Sequence, residues 1–145
     1  MKICLVSASE LYTLRNLVLR PGKPLHTTFY EKDNDIDTFH LAIFLESNVQ
    51  CIGTFYPEKM EGVYSQRPYR LRGMATHPNY RRKGLGKDLM QHAFAHLIQK
   101  QGDLLWCKAR LGAVPFYYFL GFQIIGEKYE IEGIGPHYTM YKLLA

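Results

Sequence analysis

Few cysteines, a single tryptophan and no long apolar run set the first limits on this 145-residue chain. Cys4, Cys51 and Cys107 form an odd set without CxxC spacing, so no disulfide framework or thiolate metal site is expected. Each sits in a strand-like apolar stretch, where a reduced cysteine packs as a small hydrophobe; a nucleophilic role would need a neighbouring base that the sequence does not show. The longest apolar run, 114–120, falls far short of the roughly 20 residues that a bilayer-spanning helix needs. Residues 3–6 are too short for a signal-peptide core, and polar Ser7, Ser9 and Glu10 follow directly. A cytoplasmic protein with no membrane attachment is the expectation.

Acid is missing from one long stretch. Between Gly62 and Lys87 there is no Asp or Glu, yet Arg67, Arg70, Arg72, Arg81, Arg82, Lys83 and Lys87 all lie there. Residues 1–61 carry six Lys/Arg and eight Asp/Glu, and the remainder twelve and five, so the overall +5 conceals halves of −2 and +7. An anionic ligand near the basic stretch is expected.

What is present reads as one folded domain, 1–145. The chain is 47% hydrophobic and 21% charged, long enough to bury a core without staples and free of repeats and polar tracts. Ser7-Ala8-Ser9-Glu10 has capping-box form ahead of Leu11, Leu14, Leu17 and Val18, which predicts a first helix ended by Arg20-Pro21-Gly22. Residues 22–37 form a polar loop. Alternation then predicts a strand from Phe39 to Leu45, a turn at Ser47-Asn48 and a second strand from Val49 to Tyr56.

A third strand is expected over Tyr69–Thr76, followed by a basic glycine loop. The long helix after it has Leu85, Leu89, Ala93 and Leu97 as its apolar stripe, and Gly102 ends it. Leu104–Ala109 reads as a strand, Ala113–Leu120 as a short aromatic helix with Pro115 in its first turn, and Phe122–Ile125 and His137–Leu143 as further strands. A βαβ unit among antiparallel strands implies a mixed sheet with packed helices, an α+β architecture.

Gly84 and Gly86 stand where strand gives way to helix. Amides at a helix start lack internal acceptors, the helix dipole adds positive potential, and glycine admits a ligand close to the backbone. A pyrophosphate fits such a place. A Walker loop is excluded, because Asp88 stands where Ser or Thr is required, and the dinucleotide fingerprint lacks its third glycine.

Met74-Ala75-Thr76-His77-Pro78-Asn79-Tyr80-Arg81-Arg82-Lys83-Gly84-Leu85-Gly86 resembles motif A of the GNAT superfamily of N-acetyltransferases. Residues 113–122, Ala-Val-Pro-Phe-Tyr-Tyr-Phe-Leu-Gly-Phe, resemble its motif B. The resemblance implies a GNAT-like fold: a twisted, mostly antiparallel mixed sheet, splayed at the cofactor cleft, with helices on both faces. It implies acetyl-CoA as cofactor, with Met74, Ala75 and Thr76 pairing with the pantetheine arm and Arg81, Arg82, Lys83, Gly84, Leu85, Gly86 and Lys87 holding the pyrophosphate. Arg110 departs from the pattern, since the family often has Asn there, and one side-chain contact to the cofactor arm is in doubt. Residues 133–140 resemble a bacterial GNAT subgroup related to ElaA.

The implied reaction moves the acetyl group to a primary amine of a small molecule or peptide by direct attack in a ternary complex. A strand N–H near Met74 or Ala75 is the natural donor to the developing oxyanion. Tyr117 stands where the family uses a general acid for the leaving thiolate; read alone, it is one more packed aromatic. For the general base the candidates are His40, Glu58, His137 or a water chain, each histidine and glutamate equally readable as a satisfied polar residue, while His77 reads as loop structure before Pro78. No metal is expected. A homodimer is left open.

Two other classes remain at this point. A basic nucleic-acid-binding module is compatible with the +7 half and nineteen Phe and Tyr residues, but the charges gather at one glycine loop and no nucleic-acid motif appears. A non-catalytic acetyl-CoA-binding protein would share the glycine loop and differ only in turnover.

Overall fold

A computed structural model describes residues 1–144. Seven strands are hydrogen-bonded in one sheet: β1 (Lys2–Val6), β2 (Phe39–Leu45), β3 (Asn48–Pro57), β4 (Pro68–Thr76), β5 (Leu104–Arg110), β6 (Gln123–Ile131) and β7 (Gly135–Leu143), in the order β1-β2-β3-β4-β5-β7-β6. Among the described residues there are three α-helices: α1 (Tyr12–Leu19), α2 (Leu85–Gln99) and α3 (Val114–Phe119). This is the expected mixed α+β sheet. Only β4 with β5 runs parallel among the pairs β1–β2, β2–β3, β4–β5, β5–β7 and β6–β7, as the βαβ pattern requires.

The chain divides into two compact units, 1–56 with 71–96, and 57–70 with 97–145. In the first, neighbouring residues of β3 serve opposite faces. Ile52 packs with Leu11 and Leu14 around α1, together with Ala42 and Ala75, whereas a side chain at Gly53 would meet Leu89 of α2 at 3.2 Å. Alternation therefore puts a helix on each face of this half of the sheet. Leu89, Met90, Ala93 and Leu97, all fully buried, form the inner stripe of α2.

In the second unit, Met60, Leu104 and Trp106 make a smaller core, flanked by Val63, Ile125 and Tyr141. Asp103 ties the segment before β4 to the start of β5, accepting from Ser65 Oγ and from the amides of Gln66 and Arg67 at 3.0 Å each.

Three local expectations are corrected. The capping box does not close, because Ser7 Oγ pairs with Ser9 Oγ at 3.1 Å instead of with the helix backbone. The polar loop after α1 holds a short 3-10 helix, Leu25–Thr28, and buried anchors. The strand expected at Phe122–Ile125 runs on to Ile131, since pairing with β7 slips between Ile125 and Tyr129 and then resumes. That slip hides the alternation in the sequence.

Candidate active site

The resemblance-derived loop lies wholly in the first unit. β4 carries Gly73 with φ +68° in its interior, a left-handed backbone conformation that glycine adopts without a Cβ penalty. Ala75 beyond it is buried against the α1 core. Thr76 places its Oγ1 3.3 Å from Cys51 Sγ. That thiol is pushed up to about 11, by burial against the weaker opposing pull of the Thr76 hydroxyl.

After β4 the chain is pinned at His77, whose amide donates to the Gln50 carbonyl at 2.8 Å and whose Nδ1 accepts from the Asn79 amide. His77 is thus loop structure, as its place before Pro78 suggested. Arg82 and Gly84 both take left-handed backbone, φ 63° and 81°, which winds the basic segment into the start of α2. Buried Leu85 anchors that start.

The first intrahelical bond runs from the Asp88 amide to the Gly84 carbonyl, 3.0 Å. Leu85, Gly86 and Lys87 therefore contribute amides of the first turn, which have no helical acceptor. A side chain at Gly84 would meet nothing within 4 Å, so the backbone there faces open space. Arg81, Arg82, Lys83 and Lys87 are exposed around it. Amides, dipole and four cations make a site for a polyanion, and the donor set fits a diphosphate.

Behind Gly73 lies a buried polar network that the sequence did not announce. Arg15, fully buried in α1, donates to Asp33 through two parallel bonds of 2.8 and 2.9 Å, to the Thr28 carbonyl at 2.7 Å and to Thr54 Oγ1 at 2.8 Å. Burial alone would raise the Asp33 carboxyl, but the Arg15 guanidinium and the Tyr30 amide together hold it below the usual carboxylate range. His40 Nε2 must donate to the Asp33 carbonyl, 2.9 Å away, so its Nδ1 accepts from the Thr54 hydroxyl at 2.8 Å. Both nitrogens are committed, and burial keeps the ring neutral by lowering its pKa.

Tyr30 completes this region. Guanidinium carbons of Arg15 and Arg72 lie 3.8 and 4.0 Å from its ring centroid, too close for both to share one face, so the ring is sandwiched. Its hydroxyl would sit 2.9 Å from a Cβ at Gly73, which explains why glycine stands there. Burial raises the phenol's pKa despite both arginines. A signal was available: Arg15 falls in register with Leu11 and Val18 on the apolar face of α1, and a buried guanidinium demands a carboxylate.

The remaining candidates are in the second unit. Tyr117 is buried on α3, edge-on to Phe116 and Phe122 with centroids 5.1 and 5.2 Å away. Glu58 pairs with Arg70 at 3.0 Å, and its carbonyl accepts from Trp106 Nε1 at 2.9 Å. His137 is buried, its Nδ1 donating to the Gly135 carbonyl at 2.8 Å. Arg110 is exposed at the end of β5.

Known proteins share this chain's family and fold. The acetyltransferase (GNAT) domain model matches residues 22–144. The uncharacterized N-acetyltransferase YitI of Bacillus subtilis strain 168 is 34% identical over 139 residues, spanning 96% of this chain and 93% of its own. Two solved structures share the fold at low identity: Escherichia coli ElaA, with TM-score 0.71, 18% identity and coverage of 97% and 98% of the two chains, and an aminoglycoside 6'-N-acetyltransferase complexed with coenzyme A, with TM-score 0.79, 13% identity and coverage of 100% and 98%. No helix among the described residues is long and apolar enough to cross a membrane.

Proposed function

Because the chain belongs to the GNAT family of acetyltransferases, we propose that it transfers an acetyl group from acetyl-CoA to a primary amine by direct attack, with both substrates bound together. The observation that carries the reading is the loop at the start of α2, where left-handed Arg82 and Gly84 lead into the first-turn amides and open space surrounds Gly84. The amides of Arg82 to Lys87 and the side chains of Arg81, Arg82, Lys83 and Lys87 hold the diphosphate. Met74, Ala75 and Thr76 offer their backbone to the pantetheine arm.

Bound acetyl-CoA supplies an activated acyl group; the protein supplies position and protons. The amide that follows left-handed Gly73, on Met74, or that of Ala75, donates to the acyl oxygen as negative charge grows there. A free alkyl amine has a pKa of about 10.4, so it must lose a proton before attack. His40 is poorly suited to take it, with both nitrogens committed. Glu58 and His137 remain candidates beside a water relay.

Tyr117 acts as the general acid, donating its phenolic proton to the departing thiolate. The test is Tyr117→Phe: kcat is expected to fall about 10²-fold or more, with the acetyl-CoA-induced rise in melting temperature intact. Full turnover in that variant would remove the tyrosine from the mechanism. Absence of any acetyl-CoA stabilisation in the unaltered protein would remove the whole proposal.

A further inference from the structure

We infer that the acceptor amine carries a carboxylate and that Arg72 receives it, an inference that rests on the acetyl-transfer reading above. Arg72 lies on β4, two residues before Met74, and is exposed. Among the described residues no carboxylate pairs with it. Its guanidinium is nevertheless fixed, stacked 4.0 Å from the Tyr30 ring centroid while Arg15 closes on that ring from the other side. Stacking on an aromatic face leaves the N–H edge of a guanidinium pre-oriented, and that edge matches the two oxygens of a carboxylate.

The local charge points the same way. Arg15, Arg72 and Lys32 surround Tyr30 and Tyr56. Asp33, the acid that bears on Tyr30, is consumed by its two bonds to Arg15. A second cationic group on the acceptor would be repelled here, whereas an anionic one would be drawn in. Arg72 and Met74 are separated by one residue, so the class proposed is a short acceptor with amine and carboxylate a few bonds apart. Amino acids meet this description, and polyamines do not.

The chemistry balances without a further reagent. The amine nitrogen bonds to the acyl carbon and loses a proton, the carbon–sulfur bond breaks, and the thiolate is protonated; the carboxylate is unchanged throughout.

The test uses the full chain with matched acceptors: α- and ω-amino acids, their carboxamides, and spermidine. Thiol release is measured with acetyl-CoA, and acceptor-induced stabilisation is measured separately with coenzyme A present. The expected result is at least tenfold higher kcat/KM for carboxylates than for carboxamides, with stabilisation by the carboxylate members. In Arg72→Gln that advantage disappears, in Arg72→Lys part of it remains, and the acetyl-CoA concentration giving half-maximal stabilisation stays put in both.

Equal use of carboxamides or spermidine overturns the inference, as does an equal loss for both members of a pair in Arg72→Gln. A shift in acetyl-CoA half-saturation instead would assign the guanidinium to a phosphate of the cosubstrate and overturn it too. If Arg72→Gln fails to fold, the matched pairs on the unaltered protein and on Arg72→Lys still decide. Stabilisation by acetyl-CoA with neither binding nor acetylation of any carboxylate amine sinks this inference alone; no stabilisation by acetyl-CoA sinks the acetyl-transfer reading first.

Discussion

Asp33→Asn isolates the electrostatics of the buried network with little change of shape. The Arg15 and Asp33 side chains are 0% and 2% exposed, and they meet through two parallel bonds. The asparagine can still accept one hydrogen bond, but the guanidinium loses its counterion while remaining out of water. Removing one partner of such a pair costs about 3–5 kcal/mol. At roughly 3–4 °C per kcal/mol for a chain of this size, the melting temperature should fall by about 10–20 °C. Urea unfolding gives the free energy directly. Replacing both partners, Arg15→Met with Asp33→Leu, should cost well under the sum of the single changes, because no unpaired charge is then left inside. A loss below about 1 kcal/mol in Asp33→Asn, or strict additivity in the double variant, would refute the reasoning.

Gly84→Val places a β-branched side chain at φ 81° and into the open space at the loop, so acetyl-CoA affinity should drop at least tenfold by calorimetry; unchanged affinity would move the diphosphate elsewhere. Gly73→Ala meets the Tyr30 hydroxyl at 2.9 Å with φ 68°, and should cost about 2–4 kcal/mol in urea unfolding. His40 is held neutral, its pKa below the ordinary 6.5, so the unfolded chain binds a proton that the folded one refuses. Its contribution is complete above about pH 6.5 and is lost as pH falls towards the lowered folded value. His40→Gln should flatten the stability curve between pH 7.5 and 5.5, and an unaltered slope would count against a neutral His40 in the folded chain.

The elements proposed to hold the cosubstrate were legible because their signals are local. The stripe of Leu85, Leu89, Ala93 and Leu97, the glycines at 84 and 86 and the basic run before them all lie within twenty residues, and periodicity places them on a strand, a loop and a helix. The network around Arg15 was not legible in the same way. Its members are separated by 13 to 39 residues, and a polar loop with three aspartates does not say which of them is buried. Ser7 failed as a cap because another serine competed for its hydroxyl. Gly73 falls inside the segment read as strand, Tyr69–Thr76; its left-handed backbone and the tyrosine hydroxyl beside it are tertiary facts.

The chain's sulfur atoms give it a built-in way to be watched. Cys51 is enclosed in one unit and Cys107 in the other, both protonated well above neutral pH because burial penalises the thiolate. Alkylating reagents, which are attacked by thiolates, should therefore label these two positions only when the surrounding backbone opens, and labelling rates read by peptide mass would report each half's opening independently. Coenzyme A released during turnover would meanwhile be detected by a chromogenic disulfide against a background confined to Cys4.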